Sequence, residues 1–297
     1  GKYPAILRDE TVGAEASRVL ADAQAMLAKI VEQRWLTAHA VVGFWPAHSV
    51  RDDDIELYAD ETRQHAVLTW HGLRQQTAKE PDAQGHMRPS RCLADFIAPR
   101  RPSPSPLPEG GEDRSPPLPL AEEGWGEGCD YIGAFACTAG LGVDAKEAEF
   151  LGKHDDYSVI LLKALADRLA EACAEWLHQR VRTDWWGYAS GEQWSAQDLI
   201  GERYQGIRPA PGYPACPGHR VKKPLFALLG AHDIGMHLSE HYAMLPAASV
   251  SGFYFSHPQA RYFSIGKIGR DQAIDLAERS GAELAEVGRA LAAQLDS

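Results

Sequence analysis

The chain has 297 residues, 44% of them hydrophobic, which is enough for one large domain or two modest ones with a substantial core. Its formal net charge of −11 argues against a nucleic-acid partner, because phosphate binding relies on Lys and Arg. No apolar run approaches the roughly 20 residues that a membrane-spanning helix needs, and no signal peptide precedes the first patterned segment. We therefore expect neither nucleic acid nor membrane as a partner. Because the chain starts with Gly1 rather than Met, we also expect it to be part of a longer protein.

Five cysteines form no CxxC pair, so the sequence predicts neither a disulfide framework nor a zinc knuckle. Two of them lie inside apolar segments, as small hydrophobic residues do. The five are Cys92, Cys129, Cys137, Cys173 and Cys216. A reducing, cytoplasmic location fits this pattern best.

The first part of the chain predicts a helix followed by three strands. Between residues 11 and 35, apolar residues recur with the i, i+3, i+4 spacing of an amphipathic helix that buries one face. After this helix, the spacing between apolar residues becomes shorter. VVGFW (41–45), IELYA (55–59) and AVLTW (66–70) are separated by polar turns and are predicted to be strands.

A segment of unusual composition lies between two further strand candidates, CLADFIA (92–98) and YIGAFACT (131–138). Residues 102–128 are rich in Pro and Gly, contain six acidic side chains against one arginine, and cannot bury enough apolar surface to fold. This segment could be a proline-rich recognition element, but we favour a neutral insertion at a hairpin tip, because such tips tolerate insertions. We therefore predict one domain over residues 1–297, interrupted by a disordered insert.

Residues 155–185 predict the longest helix, with Asp155 as its N-cap. On one side of this helix, Asp167, Glu171 and Glu175 lie four residues apart, where like charges repel by roughly 0.2 to 0.5 kcal/mol per pair. A solvated face is the simpler interpretation, and a buried cationic ligand would reverse it. The predicted core face consists of Val159, Leu162, Leu165, Leu169, Ala172, Cys173, Trp176 and Leu177.

The end of the chain predicts a hairpin and two short helices. Two strand-like runs within residues 250–268 flank a turn at 257–259, and helices are predicted at 271–279 and 282–295. Helices at both ends with hairpins between them indicate an α+β fold, an antiparallel sheet with hairpins flanked by long helices.

RPAPGYPACPGH, at residues 208–219, is the segment hardest to explain as ordinary folding. Its four prolines each fix φ at about −65° and remove a backbone donor, so it can be neither helix interior nor central strand. Arg208 and His219 place polar groups at its ends, Gly212 supplies an adaptable position, and Tyr213 offers an aromatic face. We interpret it as a stiff binding loop rather than a plain surface connection, because loops often carry binding residues.

The other chemistry-bearing residues indicate binding rather than catalysis. Twelve histidines form no HExxH motif and no tight cluster with carboxylates, and neither GxSxG, GxGxxG nor a P-loop occurs. We therefore expect no metal site and no self-contained hydrolase. An arginine in a rigid loop, a glutamate on a helix and aromatic rings suit an amino acid joined to a purine, such as S-adenosylmethionine.

Longer motifs of the chain resemble those of one family. They are VVGFWPAHS (from residue 41), DDIELYADETRQH (53), LRQQT (73), CLADFIAP (92), DYIGAFACTAG (130), HDDYSVILLKALADRLAEA (154), WWGYA (185), YQGIRPAPGYPACPGH (204) and VSGFYFSHPQARYFSIGKIGRDQ (250). In their sequence and order, over nearly the whole chain, they resemble the C-terminal activation domain of cobalamin-dependent methionine synthase. The resemblance implies the α+β fold of that domain.

The resemblance also implies a function in repair of the enzyme. In the family, S-adenosylmethionine donates a methyl group to cobalamin whose cobalt has been oxidised, while flavodoxin or an equivalent donor supplies one electron. The implied cofactors are S-adenosylmethionine and cobalamin, the latter held mainly by another domain. The implied partners are that cobalamin-binding domain and the electron donor. The chain would be a module of a methyltransferase, methionine synthase, and the isolated fragment is expected to be catalytically incomplete.

The family's RxxxGY motif falls on Arg208, Gly212 and Tyr213 of this chain, with Ala210 offering backbone groups within the loop. The resemblance therefore implies that these residues bind S-adenosylmethionine. His219, at the end of the same motif, is the candidate cobalamin contact.

Three further binding residues are implied by the resemblance. The glutamate that contacts the ligand in the family falls on Glu171, and a Tyr-Phe pair falls on Tyr262 and Phe263. Because adjacent strand residues point to opposite faces, we expect Tyr262 to face the ligand and Phe263 to contribute backbone or core packing. A further aspartate ligand of the family belongs to a segment that would precede Gly1.

Some residues depart from the family pattern. Gly218 stands where the family commonly has an acidic residue, and residues 102–128 have no counterpart. The basic run of Arg220, Lys222 and Lys223 could receive an acidic flavodoxin, although simple solvated charges are the favoured interpretation.

Two alternatives to the family function stay open at this point. One is a stand-alone S-adenosylmethionine-binding or sensor protein without its own catalysis, which cobalamin and homocysteine domains in the same reading frame would eliminate. The other is an interaction scaffold with a decayed site, against which the intact Arg208, Gly212, Tyr213 and Glu171 argue.

Overall fold

The computed structural model describes residues 3–81, 84–100 and 130–296. The segment 102–128 and Cys129 lie outside these residues. The helices are α1 Gly13–Gln33, α2 Val143–Leu151, α3 Asp156–Arg180, α4 Ala196–Ile200, α5 Lys222–Leu229, α6 Arg270–Ser280 and α7 Leu284–Ala290. The strands are β1 Thr37–Val50, β2 Asp54–Tyr58, β3 Ala66–His71, β4 Asp130–Leu141, β5 His237–Leu238, β6 Met244–Leu245 and β7 Ser249–Tyr254. None of the helices described is both long and apolar enough to cross a membrane.

Five strands form one sheet in the order β3-β2-β1-β4-β7, and β5 pairs with β6 separately. Strand β2 pairs antiparallel with β1 and with β3, with Ala47 opposite Leu57 and Ile55 opposite Trp70. The predicted α+β class and the first three predicted strands are confirmed. The prediction of a single domain over residues 1–297 stays a prediction.

The chain divides into two units by its internal contacts. Unit 1 comprises Gly1–Val41, Ala136–Val181 and Leu229–Ser251, and unit 2 comprises Val42–Phe135, Arg182–Leu228 and Gly252–Ser297.

The core of unit 1 forms where helices α1 and α3 pack with Ala139 of strand β4. Met26 and Ile30 of α1 are buried, which confirms the predicted amphipathic helix. Helix α3 begins where predicted, since the Asp155 carboxylate accepts a hydrogen bond from the Ser158 amide at 3.0 Å. Its buried face is made largely of Leu162, Ala166, Ala170, Ala174 and Leu177.

Two residues of the predicted core face of α3 are not in the core. Ala172 is exposed and the Trp176 side chain is 54% exposed, so this part of the prediction is wrong. The alanines spaced four residues apart occupy the contact face instead, and residues two positions away along the helix point elsewhere.

The core of unit 2 is rich in aromatic rings and closes with the last two helices. Trp70 of β3 stacks on Phe253 of β7, with ring centroids 4.4 Å apart and planes 10° apart. Helices α6 and α7 confirm the two predicted short helices, although α7 ends earlier than expected. Their buried cluster contains Leu73, Ile265, Ile268, Ala273, Ala277, Val287 and Leu291.

The strand predicted at residues 92–98 is instead a 3₁₀ turn, Leu93–Phe96. The Asp95 carboxylate caps this turn by accepting a hydrogen bond from the Cys92 amide at 2.9 Å. It also receives two hydrogen bonds from the Arg74 guanidinium, at 2.7 and 3.0 Å. A local cap and a charged partner 21 residues away therefore override the strand propensity of this apolar stretch.

The predicted C-terminal hairpin is also wrong in its second half. Strand β7 forms, but residues 261–265 are not a strand. Their backbone pairs with other segments: the Ile265 amide donates to the Pro214 carbonyl at 2.9 Å, and the Ser264 carbonyl accepts from the Gln75 side chain at 2.6 Å. Contacts with residues distant in sequence replace the hairpin ladder.

Candidate functional site

The loop at residues 208–219 has no helix or strand, as its prolines predict, yet its backbone is closely hydrogen-bonded. The Gly212 amide donates to the Cys216 carbonyl at 2.7 Å, and the Cys216 amide donates to the Tyr213 carbonyl at 2.9 Å. Gly212 has φ +99°, in the region that favours glycine, and a Cβ there would collide with the imidazole of His219. The position needs glycine for both reasons.

The loop is fastened to the end of strand β7. The amides and carbonyls of Ile207 and Phe255 exchange two hydrogen bonds, both at 3.0 Å, and the Phe253 amide donates to the Pro209 carbonyl at 3.1 Å. Gly252 permits this approach, because a Cβ there would lie 2.6 Å from the Pro209 carbonyl oxygen. The start of the loop is therefore held at Ile207, the residue before it, and at Pro209 by the buried end of β7 and the adjoining Phe255.

Two tyrosines fix Arg208 at the start of the loop. The Arg208 amide donates to the Tyr262 hydroxyl at 2.9 Å, and its guanidinium Nη1 donates to the Tyr204 hydroxyl at 3.0 Å. Tyr204 is buried, and Arg208 is partly buried. The backbone and the guanidinium of Arg208 are thus both oriented by phenol oxygens.

A buried ion pair lies beneath Tyr204. The Arg182 side chain has no exposed surface, and its Nε donates to both carboxylate oxygens of Glu192 at 2.8 and 2.9 Å. The Arg182 guanidinium also lies 4.1 Å from the centre of the Tyr204 ring. A chain of contacts therefore runs from Glu192 through Arg182 and Tyr204 to Arg208. The sequence assigned no role to Glu192, Arg182 or Tyr204. Tyr204 opens the motif quoted from residue 204, but no motif or period links it to the other two.

Tyr262 and Phe263 have different surroundings, although they are not in a strand. The Tyr262 ring is 38% exposed, and burial raises the pKa of its phenol. Phe263 packs against the core cluster of unit 2, with its ring centre 6.3 Å from that of Phe96. Whether Tyr262 contacts a ligand stays a prediction.

The other loop residues differ in exposure. Tyr213 is 60% exposed, so its ring stands at the surface of the loop, and Ala210 is partly buried. His219 is largely exposed beside Gly212, and partial burial of its ring, together with the charge of Lys222, lowers the pKa of the imidazole.

The basic run after the loop is not a continuous exposed patch. Lys222 is buried, and burial lowers the pKa of its ammonium. The Arg220 Nε atom lies 3.4 Å from a carboxylate oxygen of Glu286. Lys223 is the exposed lysine of the run. The expectation of three solvated cations at this surface is wrong for Lys222, which is the first residue of helix α5 and is only 6% exposed.

Glu171 lies in unit 1, on helix α3, and is partly buried. The pKa of the Cys137 thiol is raised mainly by Cys173 and by burial, and the Glu171 carboxylate raises it further. Its proposed contact with a ligand stays a prediction. Among residues 3–81, 84–100 and 130–296, no group of three or more His, Cys, Asp or Glu side chains is placed to hold a metal ion.

Comparison with known proteins assigns the chain to a family. Residues 1–281 match the family model described as vitamin B12 dependent methionine synthase, activation domain. The chain is also similar to a solved structure of the MetH reactivation domain bound to AdoHcy. The two are 49% identical with a TM-score of 0.84, and the match covers 100% of this chain and 82% of that chain. The chain therefore belongs to the family of vitamin B12-dependent methionine synthase activation domains.

Proposed function

We propose that this activation domain binds S-adenosylmethionine and supports the reductive methylation of cob(II)alamin to methylcobalamin, which reactivates methionine synthase. The observation that carries the proposal is the loop at residues 208–219, in which Arg208 is oriented by Tyr204 and Tyr262. The similar MetH reactivation domain, 49% identical, was solved with AdoHcy bound, which supports the same class of ligand here.

The loop residues fit the chemistry of this ligand. The planar guanidinium of Arg208 matches a carboxylate, and its orientation by Tyr204 reduces the entropy lost on binding. The exposed ring of Tyr213 offers an aromatic face to a purine, and Ala210 offers backbone polar groups. The family resemblance adds Glu171, which would accept a hydrogen bond from the ligand's ammonium.

S-adenosylmethionine, when bound, supplies a methyl group carried on a positively charged sulfonium. The residues of this chain act by binding and orientation. A loop fixed by four prolines and fastened to strand β7 loses little conformational entropy when it presents a ligand. We propose the cobalamin-binding domain of the enzyme and flavodoxin or an equivalent electron donor as partners, in a cytoplasmic setting.

Calorimetric titration with S-adenosylmethionine tests the binding site. Loss of the charged hydrogen bonds in Arg208→Ala should cost about 1.5 to 3 kcal/mol, roughly a 10-fold to 150-fold weaker affinity. Arg203→Ala is the matched control. Arg203 is exposed, pairs with Asp198 and lies shortly before Arg208 in the sequence. Equal affinities for wild type and Arg208→Ala would contradict the site assignment.

A second experiment tests the reaction. The chain is mixed with a cobalamin-binding domain of methionine synthase loaded with cob(II)alamin, a chemical reductant and S-adenosylmethionine, and the absorption spectrum is followed. We expect conversion to methylcobalamin with the wild-type chain and slower conversion with Arg208→Ala at limiting ligand. Binding without any conversion would contradict the reactivation function and favour a binding or sensor protein.

A further inference from the structure

Two cysteines meet in unit 1. Cys137, on strand β4, has no exposed surface, and Cys173, on helix α3, is partly exposed. The Cys137 thiol lies 3.8 Å from the carbonyl oxygen of Ala170, one helical turn before Cys173. Cys173 lies three residues further along the same helix, and the ionisation of each thiol depends on the other. The strand thus places the Cys137 thiol against the helical turn that carries Cys173.

The close approach follows from small residues on the contact face of α3. Ala166, Ala170 and Ala174 are at most 1% exposed and lie four residues apart, so they form one row along the helix. With only methyl groups in this row, a strand can lie near the helix backbone. A disulfide requires such an approach, with Cα atoms about 4.4 to 6.8 Å apart.

The two thiols have different chemical characters. A hydrogen bond from the Cys137 thiol stabilises the thiolate of Cys173 and lowers the pKa of Cys173, although burial acts in the opposite direction. The same hydrogen bond, burial and the nearby Glu171 carboxylate raise the pKa of Cys137. Cys173 is therefore both the more accessible thiol and the one that ionises first, which are the properties of an attacking cysteine.

We propose that Cys137 and Cys173 form an oxidisable dithiol site that reacts with low-molecular-weight disulfides and closes to an intramolecular disulfide between strand β4 and helix α3. This site goes beyond the proposed function. It needs no metal and no further protein residue.

The reaction balances with oxidised glutathione as the oxidant. The Cys173 thiolate attacks one glutathione sulfur, a bond forms between them, the glutathione disulfide breaks, and the first glutathione leaves as a thiolate that takes up a proton. Cys137 then loses its proton and attacks the Cys173 sulfur, and the second glutathione leaves. The protein loses two electrons and two protons, and both are transferred to glutathione.

The test incubates the folded 297-residue chain with oxidised glutathione to equilibrium, then counts free thiols and maps disulfides by peptide mass spectrometry. We expect the wild type to lose two free thiols and to yield a peptide pair joined through Cys137 and Cys173. In Cys137→Ala the reaction should stop at a mixed disulfide of glutathione with Cys173, and in Cys173→Ala neither product should form. Cys216→Ala is the control, since Cys216 is buried elsewhere in unit 2 and its removal should leave the linked peptide unchanged.

The wild-type measurement alone decides the proposal, so it does not depend on the stability of a variant. If Cys137 and Cys173 are not joined to each other at equilibrium, the proposal is overturned. This holds whether both thiols stay free, Cys173 stays glutathionylated, or Cys173 pairs with Cys129. A chain that fails to bind S-adenosylmethionine but forms the linkage would contradict the proposed function and leave this site intact.

Discussion

The binding loop at residues 208–219 and helix α3 carry predicted ligand residues in different ways. The loop is oriented by directional polar contacts, from the buried ion pair of Arg182 and Glu192 to the phenol oxygens around Arg208. Helix α3 is positioned by a row of buried alanines and leucines, whose packing is apolar and spread over many contacts. Directional contacts are few and each has a defined partner, so we expect single substitutions beneath the loop to have larger and more specific effects than those on the surface of a helix.

The largest effect is expected for Arg182→Met. The substitution leaves the buried Glu192 carboxylate without its charged partner, and breaking such a pair costs about 3 to 5 kcal/mol. Chemical denaturation with urea would measure the change in the free energy of unfolding. Arg18→Met is the control on helix α1. Arg18 and Glu15 form an exposed ion pair, so loss of this pair should barely change the urea concentration at the unfolding midpoint. Similar midpoint shifts for both variants would remove the contrast between buried directional contacts and exposed helix pairs.

The next largest effect is expected for Gly212→Ala. Its φ of +99° and the neighbouring imidazole of His219 leave no room for a Cβ, and such strain costs about 1 to 3 kcal/mol. We expect weaker binding of S-adenosylmethionine by calorimetry together with a lower thermal midpoint. Gly218→Ala is the matched control in the same loop, because a Cβ there would meet nothing within 4 Å. If both variants bind like the wild type, the loop geometry is not what holds the ligand.

A smaller and more selective effect is expected for Tyr204→Phe. Removing the hydroxyl that accepts from Arg208 should weaken S-adenosylmethionine binding by about 0.5 to 1.5 kcal/mol. Binding of 5′-methylthioadenosine, which lacks the carboxylate, should stay unchanged, since Tyr204 acts through Arg208. Equal losses for both ligands, measured by calorimetry, would mean that Tyr204 supports the loop as a whole rather than Arg208.

The smallest effect concerns the ionisation of His219. Burial and the charge of Lys222 lower the pKa of His219, so as the pH falls below about 6.5 the unfolded chain takes up this proton before the folded protein does. His219 therefore reduces stability on the acidic side of this pH. NMR titration of the imidazole should show a lowered midpoint that moves partly back in Lys222→Met, since burial remains.

Lys223→Met provides the control for that titration. Lys223 is exposed, whereas Lys222 is buried, so only the latter should influence the imidazole. A His219 midpoint that is unchanged in Lys222→Met would show that burial alone lowers its pKa.

The elements with the strongest periods could be predicted from the sequence. Helix α3, with its Asp155 cap, and the first three strands follow from local periodicity and capping, which the chain carries in neighbouring residues. The prediction of a strand at residues 92–98 was wrong because the Asp95 carboxylate accepts hydrogen bonds from Arg74, a partner that no local pattern indicates. The second strand of the C-terminal hairpin failed for a similar reason, since Ile265 pairs with Pro214 of the loop.

The candidate site divides along the same line. The sequence alone determined that residues 208–219 are a stiff irregular loop, because proline restricts its own φ wherever it occurs. The motifs of the sequence also indicated the family. Only the tertiary structure decided that Arg182, Glu192 and Tyr204 support Arg208, that Lys222 is buried, and that Cys137 meets Cys173. These contacts join residues far apart in the chain, so they depend on how the elements pack and leave no periodic signal in the sequence.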